Sequence, residues 1–301
     1  QNLRPEPRPM RGNSRKGADA RMIKITTDST CDLPEALLRE YDITVLPLGI
    51  VKGEGLFRDG VDIHPADIAA HVDAGGAITT TNAVNTADYL DCFSRLLKTC
   101  DAVIHVNLGA KISSCHQNAR IAAAELSNVY VADSDNITVG MGELVLRAAR
   151  AARAGHTPEE ILAELEDLRR RMEVSFVLDR LDYMKRGGRC SAVTAIGANL
   201  LKLHPCIEVV DGKLAVTKKY RGSMERVVSD YLHDRLDGRD DIDTERIWLV
   251  DSAFGPELAG AARAVLQADG RFGEILESKA GCTIFSHCGP NTVGLAILRR
   301  Q

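Results

Sequence analysis

Three polar motifs lie far apart in the chain and carry groups that suit one another. Arg189 ends the run Leu181-Asp-Tyr-Met-Lys-Arg-Gly-Gly-Arg189. Thr81 sits in Thr79-Thr-Thr81-Asn-Ala-Val, and His287 opens His287-Cys-Gly-Pro-Asn-Thr-Val-Gly294. Together they supply a guanidinium, a hydroxyl and an imidazole. A guanidinium presents a planar fork of donors that matches a carboxylate or a phosphate, and glycines beside it let backbone amides approach. Such a set suits gripping a carboxylate, or carrying it through phosphorylation. The P-loop, dinucleotide and nucleophile-elbow patterns are absent. Asp28 follows the first strand, where aspartate-based phosphatases carry a nucleophile. Without a D-x-D pair there, it reads as a turn or helix-entry residue. Nothing marks a self-contained enzyme.

The elements that must position these groups alternate in the first half. Ile23-Lys-Ile-Thr26, Thr44-Val-Leu-Pro-Leu48, Ala102-Val-Ile-His-Val106 and Val129-Tyr-Val-Ala132 read as strands, with Pro47 marking an edge or an end. Between them, Asp32 with Pro34 and Glu35 reads as a helix start, with Leu37 and Leu38 turned to the core. His64-Pro-Ala-Asp-Ile68 starts another helix, and Gln117 to Leu126 a third. Strand and helix alternating in this way predict a parallel sheet sandwiched by helices. Thr157-Pro-Glu-Glu160 is a capping box, followed by Ile161, Leu162, Leu165, Leu168 and Met172 at helical spacing.

The pattern then changes. Cys206-Ile-Glu-Val-Val210 and Lys213-Leu-Ala-Val-Thr217 flank Asp211-Gly212, a two-residue hairpin turn. Ile247-Trp-Leu-Val250 reads as a strand and Glu257 to Gln267 as a helix. Gly281-Cys-Thr-Ile-Phe285 and Val293-Gly-Leu-Ala-Ile-Leu298 read as paired strands joined by a turn at His287. The expected fold class is α/β, with an N-terminal α/β domain over residues 22–171 and a C-terminal α+β domain with a mixed or antiparallel sheet over residues 172–301.

With 301 residues, 45% hydrophobic and 27% charged, the chain has an ordinary globular composition. Its net charge of −4 is uneven: residues 1–21 carry six basic groups against two acids, leaving +4 on the tail and −8 on the rest. An acidic body argues against nucleic acid as the main partner. The tail, rich in Pro, Arg and Gly, is expected to be disordered, with Met22 as the natural start. It lacks the apolar core of a signal peptide. A solvated leader is preferred over a basic arm that touches a membrane surface transiently. No run reaches the ~18 apolar residues of a membrane helix, so the expected location is cytoplasmic. The eight cysteines form no C-x-x-C pair and read as reduced packing residues. The spacing of Cys282, His287 and Cys288 is not that of a structural zinc site, so no metal is expected.

Four local patterns, in order and spacing, resemble the DegV family from about Met22 to Arg300: Thr27-Asp-Ser-Thr-Cys-Asp-Leu-Pro34, Thr81-Asn-Ala-Val, Tyr183-Met-Lys-Arg-Gly-Gly-Arg189 and His287-Cys-Gly-Pro. The resemblance implies a two-domain α/β protein that binds one long-chain fatty acid in a tunnel at the domain interface. It further implies that the carboxylate is presented to a separate ATP-dependent kinase, as a non-catalytic subunit of a fatty acid kinase. The acyl phosphate so formed would feed phospholipid synthesis. No cofactor is implied beyond the bound fatty acid. By the same resemblance Thr81 and Ser113 would bind the carboxylate, with Arg189, Arg221 and His287 around the head group. Ser113 lies in Lys111-Ile-Ser-Ser-Cys-His-Gln117, and Arg221 in Lys219-Tyr-Arg-Gly222.

The chain departs from the family pattern at Asn82-Ala-Val, at Ser114-Cys-His and at Asn291, where glycine is usual. Asparagine tolerates a left-handed backbone better than most residues. Plainer readings stay open: Thr81 and Ser113 as helix caps, Arg189 and Arg221 as surface ion pairs, and His287 as a turn residue. At the level of function, the rivals are a lipid or small-molecule binder without phosphotransfer and an acyl-phosphate hydrolase with His287 as base.

Overall fold

A computed structural model describes residues 22–194 and 203–301. The expectation for the tail at 1–21 lies outside the described residues. The chain begins with β1 (Ile23–Asp28), a 3-10 turn at Ser29–Cys31 and α1 (Glu35–Glu40). Three short strands follow, β2 (Thr44–Leu46), β3 (Gly49–Lys52) and β4 (Gly55–Arg58). Next come α2 (Pro65–Asp73), β5 (Thr80–Asn82), α3 (Thr86–Leu96) and β6 (Ala102–Asn107). Then α4 (Cys115–Ala124), β7 (Val129–Asp133), α5 (Thr138–Arg153) and α6 (Pro158–Arg171) lead into β8 (Met172–Val177). Helices α7 (Leu181–Gly187) and α8 (Ser191–Thr194) precede the hairpin β9 (Leu203–Val210) and β10 (Lys213–Arg221). The chain closes through α9 (Met224–Leu236), β11 (Arg246–Ser252), α10 (Pro256–Asp269), β12 (Glu274–Lys279), α11 (Cys282–Cys288) and β13 (Thr292–Leu298).

The fold is α/β. The first sheet, ordered β2-β1-β6-β7, is parallel throughout. All six residues of β6 are buried, as a central parallel strand covered on both faces must be. Strand β2 stops at Leu46, just before Pro47, on the sheet's edge. The second sheet, ordered β10-β9-β8-β13-β11-β12, is mixed, with only β11 and β12 parallel. Its hairpin turns at Asp211 and Gly212, both at positive φ, the type I′ geometry that matches strand twist. A third, antiparallel sheet of β4-β3-β5 has no counterpart in the sequence reading, because its strands are only three or four residues long.

Helix α5 joins the two large sheets. It packs on β1 and β6 of one and on β8, β11 and β13 of the other, and twelve of its sixteen residues are buried. Its first nine residues are buried on every side, and a polar face emerges only at Arg147, Arg150 and Arg153. Small residues bring its partners close: a Cβ on Gly142 would stand 2.6 Å from the Cys31 carbonyl oxygen. The one acid in its middle, Glu143, is buried and receives hydrogen bonds from Arg147 Nε and Trp248 Nε1, both at 2.8 Å, and from Arg246 Nη1 at 3.2 Å. A buried carboxylate needs such partners. One core therefore spans both sheets, from Ile25 and Phe93 through Met141 to Phe176 and Trp248.

Two sequence expectations fail here. Gly281–Phe285 is not a strand; Cys282–Cys288 forms the two-turn helix α11. Its N-terminus is capped from far away in the chain: Asp59 accepts from the amides of Cys282 (2.8 Å) and Thr283 (3.0 Å), and Asp32 from the amide of Gly281 (2.9 Å). Asp32 is accordingly not the cap of α1. It adopts φ 48° and Pro34 precedes that helix instead. Expected positions hold elsewhere, with α4 starting two residues before Gln117 and α6 carrying its full capping box. Among the described residues no helix is long and apolar enough to cross a membrane.

Adding a methyl group at position 142 tests the close contact made by α5. Gly142→Ala should lower stability by about 1–3 kcal/mol, since overpacking forces backbone shifts. The urea unfolding midpoint reads this directly; an unchanged midpoint contradicts the contact.

Candidate functional site

In the parallel sheet the chain leaves β1 toward β2 and leaves β6 toward β7, on opposite sides. The crevice beyond the carboxyl ends of two such strands is where open α/β sheets bind ligands. A cavity of about 330 Å³ lies there. Thr30 follows β1 into its wall, and Leu108, Ile112, Ser113 and Ser114 follow β6. The mixed sheet closes it with Phe176 of β8 and Leu214 of β10. Thr81 and Asn82 of β5, Met184 of α7, Arg189, and Ile284, His287 and Cys288 of α11 also line it.

The strand ends are held by Asp28. It is fully buried and accepts from Tyr89 Oη (2.5 Å), Asn107 Nδ2 (3.1 Å) and the Leu108 amide (2.8 Å), with His105 Nε2 at 3.2 Å. Burial pushes its pKa up, but His105, Tyr89 and the Leu108 amide outweigh this and hold it below the ordinary value. Asp28 is thus an internal acceptor rather than a turn residue, and it ties the loops after β1 and β6 together. Its neighbour Ser29 bonds Asp59 Oδ2 at 3.0 Å and so reaches the cap of α11.

The structure brings four of the five candidate residues to this one cavity. Thr81 lies in β5, paired with the buried Ile50, so the reading of Thr81 as a helix cap fails. Its Oγ1 is 2.9 Å from His287 Nε2, and Thr79 Oγ1 is 2.7 Å from Ser286 Oγ. Alternate residues of the threonine run therefore face α11, as strand geometry requires. Ser113 Oγ accepts from the Cys115 amide at 3.2 Å, so it helps start α4 while lining the cavity. Arg189 is exposed at the cavity wall and donates to the Gly187 carbonyl at 3.0 Å. Arg221 is not brought there. It is exposed at the end of β10, seven residues past Leu214, which at strand rise is roughly 23 Å. The nine-residue length of β10 was not visible in the sequence pattern, which ended at Thr217.

His287 is neutral at ordinary pH: burial, and then the charge of Arg189, push its pKa down to about 4. Its Nδ1 has no partner among the described residues and abuts Gly187, where a Cβ would stand 2.0 Å from it. An orphaned buried N–H is rarer than an orphaned acceptor, which favours the tautomer with the proton on Nε2. That proton goes to Thr81 Oγ1, which leaves the threonine hydrogen for another acceptor. Asn291 takes the left-handed conformation, φ 56°, and donates to Asp179 Oδ2 at 3.0 Å.

Asp32, Asp59, Ser29 and Gly187 were missed as site-forming residues. Only Gly187 had a local signal, the glycine pair before Arg189. The caps act on residues more than two hundred positions away, which no local pattern reveals.

The architecture is an α/β protein of two large sheets and one small one, with a cavity between them lined by apolar side chains together with hydroxyl, imidazole and guanidinium groups. The chain belongs to the DegV family: a family model described as "Uncharacterised protein, DegV family" matches residues 22–300. A DegV domain-containing protein of Clostridium acetobutylicum is 34% identical over 284 residues, covering 92% of this chain and 99% of that relative. A Thermus thermophilus DegV family protein, whose structure is described for fatty acid binding, matches with TM-score 0.82 and 31% identity, covering 93% of this chain and 100% of that one. DegV of Bacillus subtilis, described as a fatty acid binding protein, shares the fold with TM-score 0.81 at 24% identity, covering 93% and 100% of the two chains.

Burial, opposed by hydrogen bonds from Thr138 and the Gly281 amide, and with Asp59 nearby, raises the Asp32 pKa from 3.8 to about 8. The folded protein then holds a proton that the unfolded chain has lost. This contribution to stability is fully present below about pH 4 and is lost as pH rises to about 8. Asp32→Asn keeps one acceptor for Gly281 and one donor for Thr138 without titrating. It should flatten the decline in Tm across that window; an equal decline in both proteins contradicts the assignment.

Proposed function

We propose that this protein binds one long-chain fatty acid in the cavity and presents its carboxylate to a separate ATP-dependent kinase, which forms an acyl phosphate. The observation that carries the reading is the cavity's two-sided chemistry. Leu48, Leu108, Ile137, Phe176, Ile284 and Leu214 offer an aliphatic chain an apolar wall, while Thr81, Ser113 and Arg189 offer donors to an anion. The fatty acid binding described for the Thermus thermophilus relative supports the same ligand.

In this reading a carboxylate leaving water takes hydrogen bonds from the hydroxyls of Thr81 and Ser113 and is balanced by the Arg189 guanidinium. His287 orients Thr81 through its Nε2, which leaves the threonine hydrogen for the carboxylate. Arg221, remote along β10, is left out of this grip. No cofactor enters: the fatty acid is the bound species and the kinase supplies ATP. The protein itself makes and breaks no bond. Its place is the cytoplasm, with membrane contact only in passing acyl chains.

Mass spectrometry of the purified protein, native and after organic extraction, tests the ligand. A stoichiometric long-chain fatty acid is expected. An empty protein that also refuses oleate and palmitate rules the reading out. Arg189→Ala should weaken fatty acid retention about tenfold, the order expected for losing a charge-assisted hydrogen bond; unchanged retention would sink the head-group assignment. His287→Ala should retain the lipid but slow kinase-dependent acyl phosphate formation. If ATP and the kinase yield no acyl phosphate from a loaded wild-type protein, a binding role without phosphotransfer takes its place.

A further inference from the structure

The side of the cavity against the mixed sheet carries a feature that a plain hydrocarbon does not need. The main cavity shares Ile137, Phe176, Ile284 and Cys288 with a second hollow of about 20 Å³. That hollow lies over the mixed sheet, on its α5 side. Gly294 of β13 lines it, in register between Phe176 of β8 and Val250 of β11, whose side chains close over the glycine. A Cβ there would meet the Ser175 carbonyl oxygen at 3.0 Å and the side chains of Phe176 and Val250 at 3.1 Å.

Ser252 lies at the rim of this hollow, at the end of β11. Alternation settles which way it faces. Trp248 and Val250 pack in the core shared with α5, while Ile247 and Leu249 pack on the opposite side of the sheet. Ser252 continues the first set. It is 2% exposed, and its Oγ has no hydrogen-bond partner among the described residues. The other hydroxyls of the lining are engaged. Thr292 donates to the Cys288 carbonyl, Thr138 bonds Asp32, and Ser175 bonds Tyr231. A buried unpaired hydroxyl is destabilising, so native structures rarely keep one without a use. The hollow has room for a single oxygen-sized group.

We infer that the hollow beside Gly294 receives a hydroxyl carried on the acyl chain, with Ser252 as its hydrogen-bond partner, so that the preferred ligand class is hydroxylated fatty acids. This rests on the fatty acid reading of the main cavity and narrows it. A site built to pair with a ligand hydroxyl discriminates against the chain that lacks it, because its own polar group is then left unpaired. A tail that stops in the main cavity would gain nothing from Ser252.

The test compares stearate with a ladder of stearates hydroxylated at successive carbons, competed on wild-type protein and on Ser252→Ala, which removes a single oxygen. One position in the ladder should bind wild-type protein about tenfold more tightly than stearate, the worth of one net hydrogen bond. That preference should vanish in Ser252→Ala while stearate binds both proteins alike. A wild-type protein that binds stearate but prefers no hydroxylated chain overturns the inference and leaves the fatty acid reading standing. So does a preference that survives in Ser252→Ala. Failure of every chain, stearate included, overturns both.

Discussion

The site depends on satisfying the amino end of one short helix. Helix α11 is only two turns long and mostly buried, so its first amides cannot turn to water. Asp59 and Asp32 supply the acceptors, and each is itself fixed by another loop: Asp59 by Ser29, Asp32 by Thr138 at the start of α5. Segments after β1, after β4 and before α5 thus converge on the same helix. The opposite end of α11 carries His287 and Cys288 into the cavity, and Ile284 lines it from the middle. Removing the carboxylates would leave a helix end unpaired in the interior and the imidazole without a fixed place.

The two sheets then play different parts. The parallel sheet provides a crevice at the ends of β1 and β6, and Asp28 clamps the loops there. The mixed sheet provides a wall, from Phe176 to Val250, that faces α5. Because α5 touches both sheets through small residues, the two sheets share one continuous core beside the cavity. Polar groups therefore reach it only where a strand end, a helix end or a loop brings them. A carboxylate at one side and a chain running inward is the arrangement this placement favours.

Legibility from sequence followed the range of the interactions. The hairpin at Asp211-Gly212 and the cap at Thr157 depend on neighbours two or three residues away, and both read correctly. Thr81, Arg189 and His287 stood out as polar residues in glycine- or threonine-rich motifs, Ser113 came only through the family resemblance, and the fold gathers all four at one cavity. Arg221 also came through the resemblance, and it stands at the end of β10, outside the cavity lining. Helix α11 was read as a strand: Cys-Thr-Ile-Phe favours extended structure locally, and its helical caps come from Asp32 and Asp59. Helix α5 was passed over: its first nine residues are buried on every side, and its polar face begins only at Arg147. The hollow beside Gly294 belongs to sheet register, which sequence spacing does not encode.

The central claim, that the Thr81, Ser113 and Arg189 side of the cavity holds the carboxylate of an acyl chain, is tested most directly by carbon-13 NMR. Oleate labelled at the carboxyl carbon would be added to the protein and followed as pH falls through the ordinary carboxylate range. The account requires one bound signal, distinct from free oleate, that stays ionised where the free acid takes up its proton, because donors and a guanidinium favour the charged form. A bound signal that titrates like free oleate would place the carboxylate in solvent and contradict the account.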